Sequence, residues 1–464
     1  MTHVHFIGIG GSGLSAIARL LLESGYVVSG SDRVLTPFAE EIRKAGAEVY
    51  IGHHARNLTG ADWIVRSSAV TEDNPEIRAA KRTGIPVYKR ADFLGRLMED
   101  KLSIAIAGTH GKTTTTAMTA WVLSQLGRDP SFIVGGVMNN LGVNARAGKK
   151  KLFVIEADEY DHMFLGLKPQ IAVVTSIEYD HPDFFPSLES MYMAFEQFVD
   201  LLPEDGTLIV CSEDAGAAAL IPRVRKAGRN VISYSVQSEM TINSPSWVQA
   251  RELKPNVRGG FDFTASSNLS AEGPDIFKVS LQVPGEHNVR NALAVLAIVK
   301  VLGLSTKKAA KALGEFTGTS RRFQLRGEVN GISIFDDYAH HPTEIKATLA
   351  GARARYPERR IWAVWQPHTY SRTKTLFLEF ARAFKDADEV IVTEVYGARE
   401  PKQDFTSAEI VSAMPHLSAR YIETLPEVTN YLFGHLQPGD VVLILSAGDA
   451  DQISTDVLKG LQES

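Results

Sequence analysis

Short apolar runs rich in β-branched residues alternate along the whole chain with stretches of 3.6-residue periodicity, the pattern of parallel βαβ units rather than of hairpins. Near the N-terminus this predicts strands over 4–9, 27–31 and 63–66, with helices over 14–24 and 38–45 between them. The order restarts with a strand over 102–107, a glycine-rich turn and a helix over 113–126, followed by strands over 152–156, 171–175 and 208–211. The stretch 238–274 is poor in helix signals and rich in Ser, Asn, Gly and Pro, and reads as a β-rich insertion or a loop. Helices over 288–302 and 307–315 close this block, and Gly318-Thr-Ser-Arg-Arg322 reads as a linker. A third unit opens with a strand over 332–337 and continues with strands over 361–365, 390–394 and 441–445 and helices over 373–384 and 453–462. The class is α/β, with domains expected over 1–100, 101–318 and 319–464.

Composition narrows the function. The 464 residues suit three domains of ordinary size. With 49 Lys+Arg against 54 Asp+Glu, the net charge of −5 lacks the positive field that binding a phosphate backbone requires, which excludes nucleic acid as main partner. A single cysteine, Cys211, rules out an internal disulfide framework and suits a reducing compartment, so a cytoplasmic protein is expected. No apolar run approaches the length of a bilayer span, and membrane insertion is not expected.

The strongest chemical signal is Gly108-Thr109-His110-Gly111-Lys112-Thr113, set between a predicted strand and a predicted helix. Backbone N–H groups of such a turn converge on a polyphosphate, with Lys112 reaching the β/γ-phosphates and the Thr113 hydroxyl available to Mg²⁺. Ile106 stands where the general P-loop pattern has its first glycine. The first turn, Gly8-Ile9-Gly10-Gly11-Ser12-Gly13, fits G-x-G-x-x-G after a strand, and Asp32 follows about 20 residues on, an arrangement that accepts a dinucleotide or any other diphosphate. Glu156-Ala-Asp158-Glu159 and Glu178-Tyr-Asp180-His181 lie at strand ends. Glu156 is a candidate ligand for Mg²⁺, and His181 is either a second ligand or a polar loop residue.

Asn288 and Asn291, on one face of a helix start that follows His287, either cap the helix or meet an adenine edge. Asp336-Asp337-Tyr-Ala-His340-His341-Pro-Thr343-Glu344 holds more acids and histidines than a helix cap requires, and Gln366-Pro-His368-Thr-Tyr-Ser-Arg372 offers His and Arg to anionic groups.

Taken in order with Ser67-Ser68-Ala69, Gly135-Gly136 and Arg321-Arg322-Phe323, these segments resemble the Mur ligases of bacterial cell-wall synthesis, and among them the branch that adds L-alanine. The resemblance implies a Rossmann-like N-terminal domain for a UDP-linked substrate, a central P-loop ATPase-type domain with a parallel sheet, and a Rossmann-like C-terminal domain that closes over the incoming amino acid. It implies UDP-N-acetylmuramate and L-alanine as substrates, ATP and Mg²⁺ as cofactors, and a monomer or homodimer. Gly8, Gly10, Gly11, Ser12 and Gly13 would cradle the diphosphate, with Asp32, Ser67 and Ser68 nearby. Gly108, Thr109, His110, Gly111, Lys112, Thr113 and Thr114 would hold ATP, with His287, Asn288 and Asn291 toward adenine, Arg322 toward the phosphates, and Asp336 or Asp337 at the ribose. Thr113, Glu156 and His181 would bind the metal, and Lys112, Glu156, His181, His340 and Arg372 would serve catalysis. Several Mur ligases carry a carbamylated lysine downstream of the position of His181; residues 182–202 contain no lysine, which agrees with the L-alanine branch. The readings weighed against this are a ligase attaching a recycled peptide to the same sugar nucleotide, an NAD-dependent oxidoreductase built on Gly8–Gly13, and a nucleotide-driven regulator.

Overall fold

The computed structural model describes residues 1–236, 245–269 and 273–463. Among the described residues, three sheets follow one another along the chain. The first is parallel throughout, with strands in the order Glu48–Ile51, Val27–Asp32, His3–Ile7, Trp63–Arg66 and Val87–Lys89. The second has ten strands. Its parallel centre runs Thr207–Cys211, Ile171–Val174, Leu102–Ala107, Leu152–Glu156 and Ser131–Met138, and antiparallel pairs finish both edges. The third has six strands, parallel except for Gln324–Val329, which pairs antiparallel with Ile332–Asp337.

The helix Lys112–Gln125 is buried on nearly all sides because its Ala, Met, Trp and Leu positions meet both the sheet and the helix Glu286–Val301. Its buried Thr116 and Thr119 hydroxyls donate to the carbonyls of Lys112 (2.8 Å) and Thr115 (2.7 Å), one turn back, so they enter the sandwich satisfied. One core unites the N-terminal helix Ser12–Glu23 with Phe93, Phe153, Phe164 and Phe195, so the first and second domains share apolar packing. The third sheet keeps cores of its own on its two faces. Its contacts with the middle domain near the site are polar, as shown below.

The strand order places the carboxyl ends of Leu102–Ala107, Leu152–Glu156 and Ile171–Val174 side by side, and the segments leaving Ile332–Asp337, Ile361–Trp365 and Val441–Leu445 face them. Sites in open α/β sheets form at such ends.

One expectation needs correction, one strand was not expected, and one segment is β-rich as expected. The helix expected over 373–384 is two short ones, Tyr370–Thr375 and Phe377–Ala381, broken at Leu376. Gln324–Val329, hidden by its exposed, charged alternation, is a strand. The 238–274 segment carries the antiparallel strands Trp247–Pro255 and Phe261–Ser267; its parts 238–244 and 270–272 lie outside the described residues.

Candidate active site

The turn after Leu102–Ala107 is shaped for close approach of a ligand. Gly111 adopts φ +79° as N-cap of the next helix, and a Cβ there would lie 2.7 Å from Asn291 Oδ1, so only glycine fits. Lys112 Nζ donates to the carbonyls of Gly108 (2.6 Å) and Thr109 (3.1 Å) and to Glu159 (2.9 Å). Burial pulls the Lys112 pKa down, but Glu159, Asp158 and Glu156 together hold it above its ordinary value, so the ammonium stays charged. The Thr113 hydroxyl donates to Glu156 Oε1 (2.8 Å), and the N–H of Gly135 donates to Glu156 Oε2 (2.6 Å). A hydroxyl and a carboxylate in contact at a helix N-terminus are the hard oxygen donors that suit Mg²⁺, so these residues fit the ion. His181 lies 3.8 Å from Glu159, not against Glu156, and its Nδ1 faces Arg372 (3.4 Å).

Two cavities meet at this turn. One, of about 350 Å³, is lined by Gly111, Thr113, Thr114, His287, Asn288, Asn291, Arg322 and Asp337. The helix that begins there is capped by Gly285; Asn288 donates to the Pro284 carbonyl (2.6 Å) and Asn291 to Asn288 Oδ1 (3.0 Å), so this pair is held toward the cavity rather than spent on a cap. Asp337 faces this cavity, while Asp336, its neighbour on the strand, points to the opposite face, where it meets Arg326 (3.4 Å). Strand alternation therefore separates the two acids named as ribose candidates.

The second cavity, of about 670 Å³, draws on all three domains: Ser12 and Gly13, then Lys112, Thr113 and Glu156, then His340, His368 and Arg372. Its N-terminal wall differs in part from expectation. Asp32 accepts hydrogen bonds from the N–H groups of Gly10 (2.8 Å) and Arg33 (2.7 Å), so its carboxylate stiffens the turn itself, and Ser67 packs against Gly8 with Ser68 exposed beside it, outside the cavity.

Three family models match the chain in succession: the Mur ligase family catalytic domain over 3–102, the Mur ligase middle domain over 106–299, and the Mur ligase glutamate ligase domain over 321–448. The chain belongs to the Mur ligase family. It is 43% identical to a UDP-N-acetylmuramate–L-alanine ligase of Desulfosudis oleivorans over 99% of this chain and 98% of that protein. With the enzyme of the same name from Rubrobacter xylanophilus it shares 44%, over 99% and 100%. Among solved structures, a UDP-N-acetylmuramate–alanine ligase from Thermotoga maritima superposes with a TM-score of 0.80 at 29% identity, covering 100% of both chains. A murein peptide ligase from Psychrobacter arcticus follows with 0.72 at 27%, covering 100% of this chain and 99% of that one. The oxidoreductase reading is not favoured by these likenesses.

In this Mur ligase, the third domain docks through charge. Arg372 Nε donates to Asp180 (2.6 Å), both side chains being 4% exposed. Against the upward push of burial, the Arg372 guanidinium holds the Asp180 carboxyl well below its usual range. His340 and His368 are driven down to about 3 and about 4 by burial, with the Arg372 charge adding to it, so both rings are neutral.

His110 behaves oppositely. Burial alone would lower its pKa, but hydrogen bonds to Glu178 (2.9 Å) and to Glu344 of the third domain (3.3 Å) outweigh it and raise the pKa to about 9. Unfolded histidine titrates near 6.5, so the stabilisation from this imidazolium is whole below about pH 6.5 and is lost as pH climbs through about 9. We expect the thermal midpoint of the parent, measured against His110→Asn, to lose its advantage across that window; parallel curves would refute the assignment.

The candidate segments include Glu159, Glu178 and Glu344 without a role for any of them, and Arg90 lies outside every segment named from the sequence. Glu159 is fully buried between Lys112 and His181. Arg90 lies so close to Gly13 that any Cβ there would collide with its guanidinium, placing a cation beside the first glycine turn. Its position at the start of a helix after a short strand was the available signal. For Glu178 and Glu344 no local pattern distinguishes a hub from a surface acid.

Proposed function

We propose that this chain is an ATP-dependent ligase that joins L-alanine to the lactyl carboxylate of UDP-N-acetylmuramate through an acyl phosphate, a step of peptidoglycan synthesis. The observation that carries the reading is the cavity onto which the Ser12-Gly13 end of the first glycine turn, the P-loop and the third-domain histidines and arginine all open; Gly8, Gly10 and Gly11 do not line it. Each substrate then has a wall of its own, and the reacting groups meet beside Lys112. Domain boundaries near 100 and 318 and a cytoplasmic location belong to the same reading. Among the described residues, no helix is long and apolar enough to cross a membrane. A monomer or homodimer belongs to the same reading.

A carboxylate is a poor electrophile, and phosphoryl transfer activates it. Lys112 and Arg322 face the phosphates and offset their gathered charge, while Asn288, Asn291 and Asp337 hold the nucleoside end. Thr113 and Glu156 would hold Mg²⁺, which supplies further neutralisation of the phosphates when bound. The amine of L-alanine attacks the activated carbonyl from the third-domain side, and the tetrahedral intermediate expels phosphate. Burial raises the pKa of Glu159, which with His181 is the proton acceptor we assign. Docking of the third domain excludes water from the acyl phosphate.

ADP formation is expected to need both UDP-N-acetylmuramate and an amino acid, with L-alanine preferred over glycine, L-serine and a tripeptide. Release indifferent to both would defeat the reading; preference for the tripeptide would replace it with the peptide-recycling reaction.

A further inference from the structure

Apart from the Thr113–Glu156 pair assigned to Mg²⁺, the described residues bring three metal-ligating side chains together at the seam between the middle and third domains. They are His110 on the P-loop, Glu178 beyond the strand Ile171–Val174, and His341 of the third domain, with one ligand atom of each within 4.8 Å of the others. His110 Nε2 lies 2.9 Å from Glu178 Oε2, and His341 Nδ1 lies 3.9 Å from the same oxygen. The two imidazole centroids are 4.7 Å apart. Four-coordinate ligation at ~2.0–2.2 Å spaces its donors by roughly 3.3 Å, so side-chain movements of about an ångström close the set.

The far side of each ligand is already supported. His110 Nδ1 faces Glu344 Oε1 (3.3 Å), His341 Nε2 faces the Tyr179 carbonyl (3.3 Å), and Glu178 Oε1 accepts from the Thr343 hydroxyl (2.8 Å). A carboxylate or carbonyl on the outer nitrogen fixes the tautomer and turns the inner lone pair toward an ion. His341 Nδ1 also accepts from the N–H of Thr343 (3.3 Å) as the cap of its helix, so this nitrogen carries no proton. At His110 the ion takes the place of the proton that the ring shares with Glu178. Two imidazoles and a carboxylate with an open fourth position suit Zn²⁺ and its neighbours Co²⁺ and Ni²⁺, whereas Mg²⁺ prefers oxygen donors. His341 is buried, but His110 and Glu178 line the smaller cavity, which gives an ion its path in.

We propose that His110, Glu178 and His341 form a second metal site, selective for Zn²⁺-type ions over Mg²⁺, that pins the third domain in its docked position and so inhibits turnover. Two ligands belong to the middle domain and one to the third, and a bound ion joins them. Product must leave and new substrates enter between turnovers, which a domain held shut prevents. Binding of the ion is independent of which amine the enzyme accepts.

The test is titration of the full-length protein with Co²⁺ in millimolar Mg²⁺, followed by the visible bands of four-coordinate Co²⁺, with Zn²⁺ then displacing the signal. One equivalent is expected to bind. His341→Asn keeps an N-cap acceptor but lacks the imidazole, and Glu178→Gln removes the carboxylate charge. Each is expected to weaken Co²⁺ binding by roughly 100-fold or more, since loss of an outer partner alone costs about 10- to 100-fold. Glu156→Gln, at the Mg²⁺ pair, should change it less than about threefold. Zn²⁺ should inhibit ATP-dependent turnover of the parent in excess Mg²⁺, reversibly on chelation, and His341→Asn should need at least about ten times more Zn²⁺ for the same fractional inhibition. Bands that survive both His341→Asn and Glu178→Gln but vanish with Glu156→Gln would put the ion in the Mg²⁺ site and overturn the proposal. It is overturned equally if the parent gives no such bands, or if Zn²⁺ that fully displaces Co²⁺ leaves turnover unchanged.

Discussion

Lys112→Ala is expected to lower ATP-dependent turnover by at least ~10³-fold, because it removes the cation that the P-loop aims at the transferring phosphoryl group. Stability and activity should part company here. Lys112 is also the counter-charge of Glu159, which is fully buried and has both carboxylate oxygens 2.9 Å from Lys112 Nζ. Breaking a buried pair by deleting one partner costs about 3–5 kcal/mol, less whatever protonation of the survivor recovers. Glu159 has a pKa already raised by burial, so it takes up a proton readily. Lys112→Met combined with Glu159→Gln should therefore regain most of the thermal stability while staying inactive. If the double variant recovers turnover, Lys112 acts through folding alone; if Lys112→Ala keeps more than about a tenth of parental turnover, the phosphate role is wrong.

The second large effect is expected at the domain seam. Arg372→Ala leaves Asp180 desolvated only when the third domain is docked, so the penalty falls on closure rather than on either domain's own folding. About 3–5 kcal/mol set against closure corresponds to a loss of roughly 10²- to 5 × 10³-fold in kcat/KM for the amino acid. Removing both partners, Asp180→Ala with Arg372→Ala, eliminates the uncompensated carboxylate and should recover part of that loss, an interaction a double-mutant cycle reads directly. Single and double variants with equal losses would show that Arg372 serves only by touching substrate. A loss under about tenfold would mean that the pair does not govern closure.

The features that could be read from the chain are those written locally. The strand–turn–helix at 102–126 was legible because buried β-branched residues, two glycines and a following helical stretch are contiguous, and the strands Leu102–Ala107, Leu152–Glu156, Ile332–Asp337 and Val441–Leu445 have the bounds expected of them. The strand Gln324–Val329 escaped notice because an edge strand open to solvent has no apolar run to announce it. Asp336 and Asp337 were indistinguishable as neighbours in sequence, and only the side of the strand each occupies tells them apart.

By itself, then, the sequence determined the alternation of strands and helices, the two glycine turns and the chemical types gathered after each strand, because covalent neighbours suffice to specify backbone geometry and the donors it carries. Tertiary structure alone decided which of those groups share a cavity. Glu344 reaches His110 across 234 positions, Arg372 reaches Asp180 across 192, and Arg399 reaches Asp183 across 216. Such pairs have no local signature. Their energies come from burial and from opposite charges brought together by domain docking, and neither exists until the sheets have folded and met.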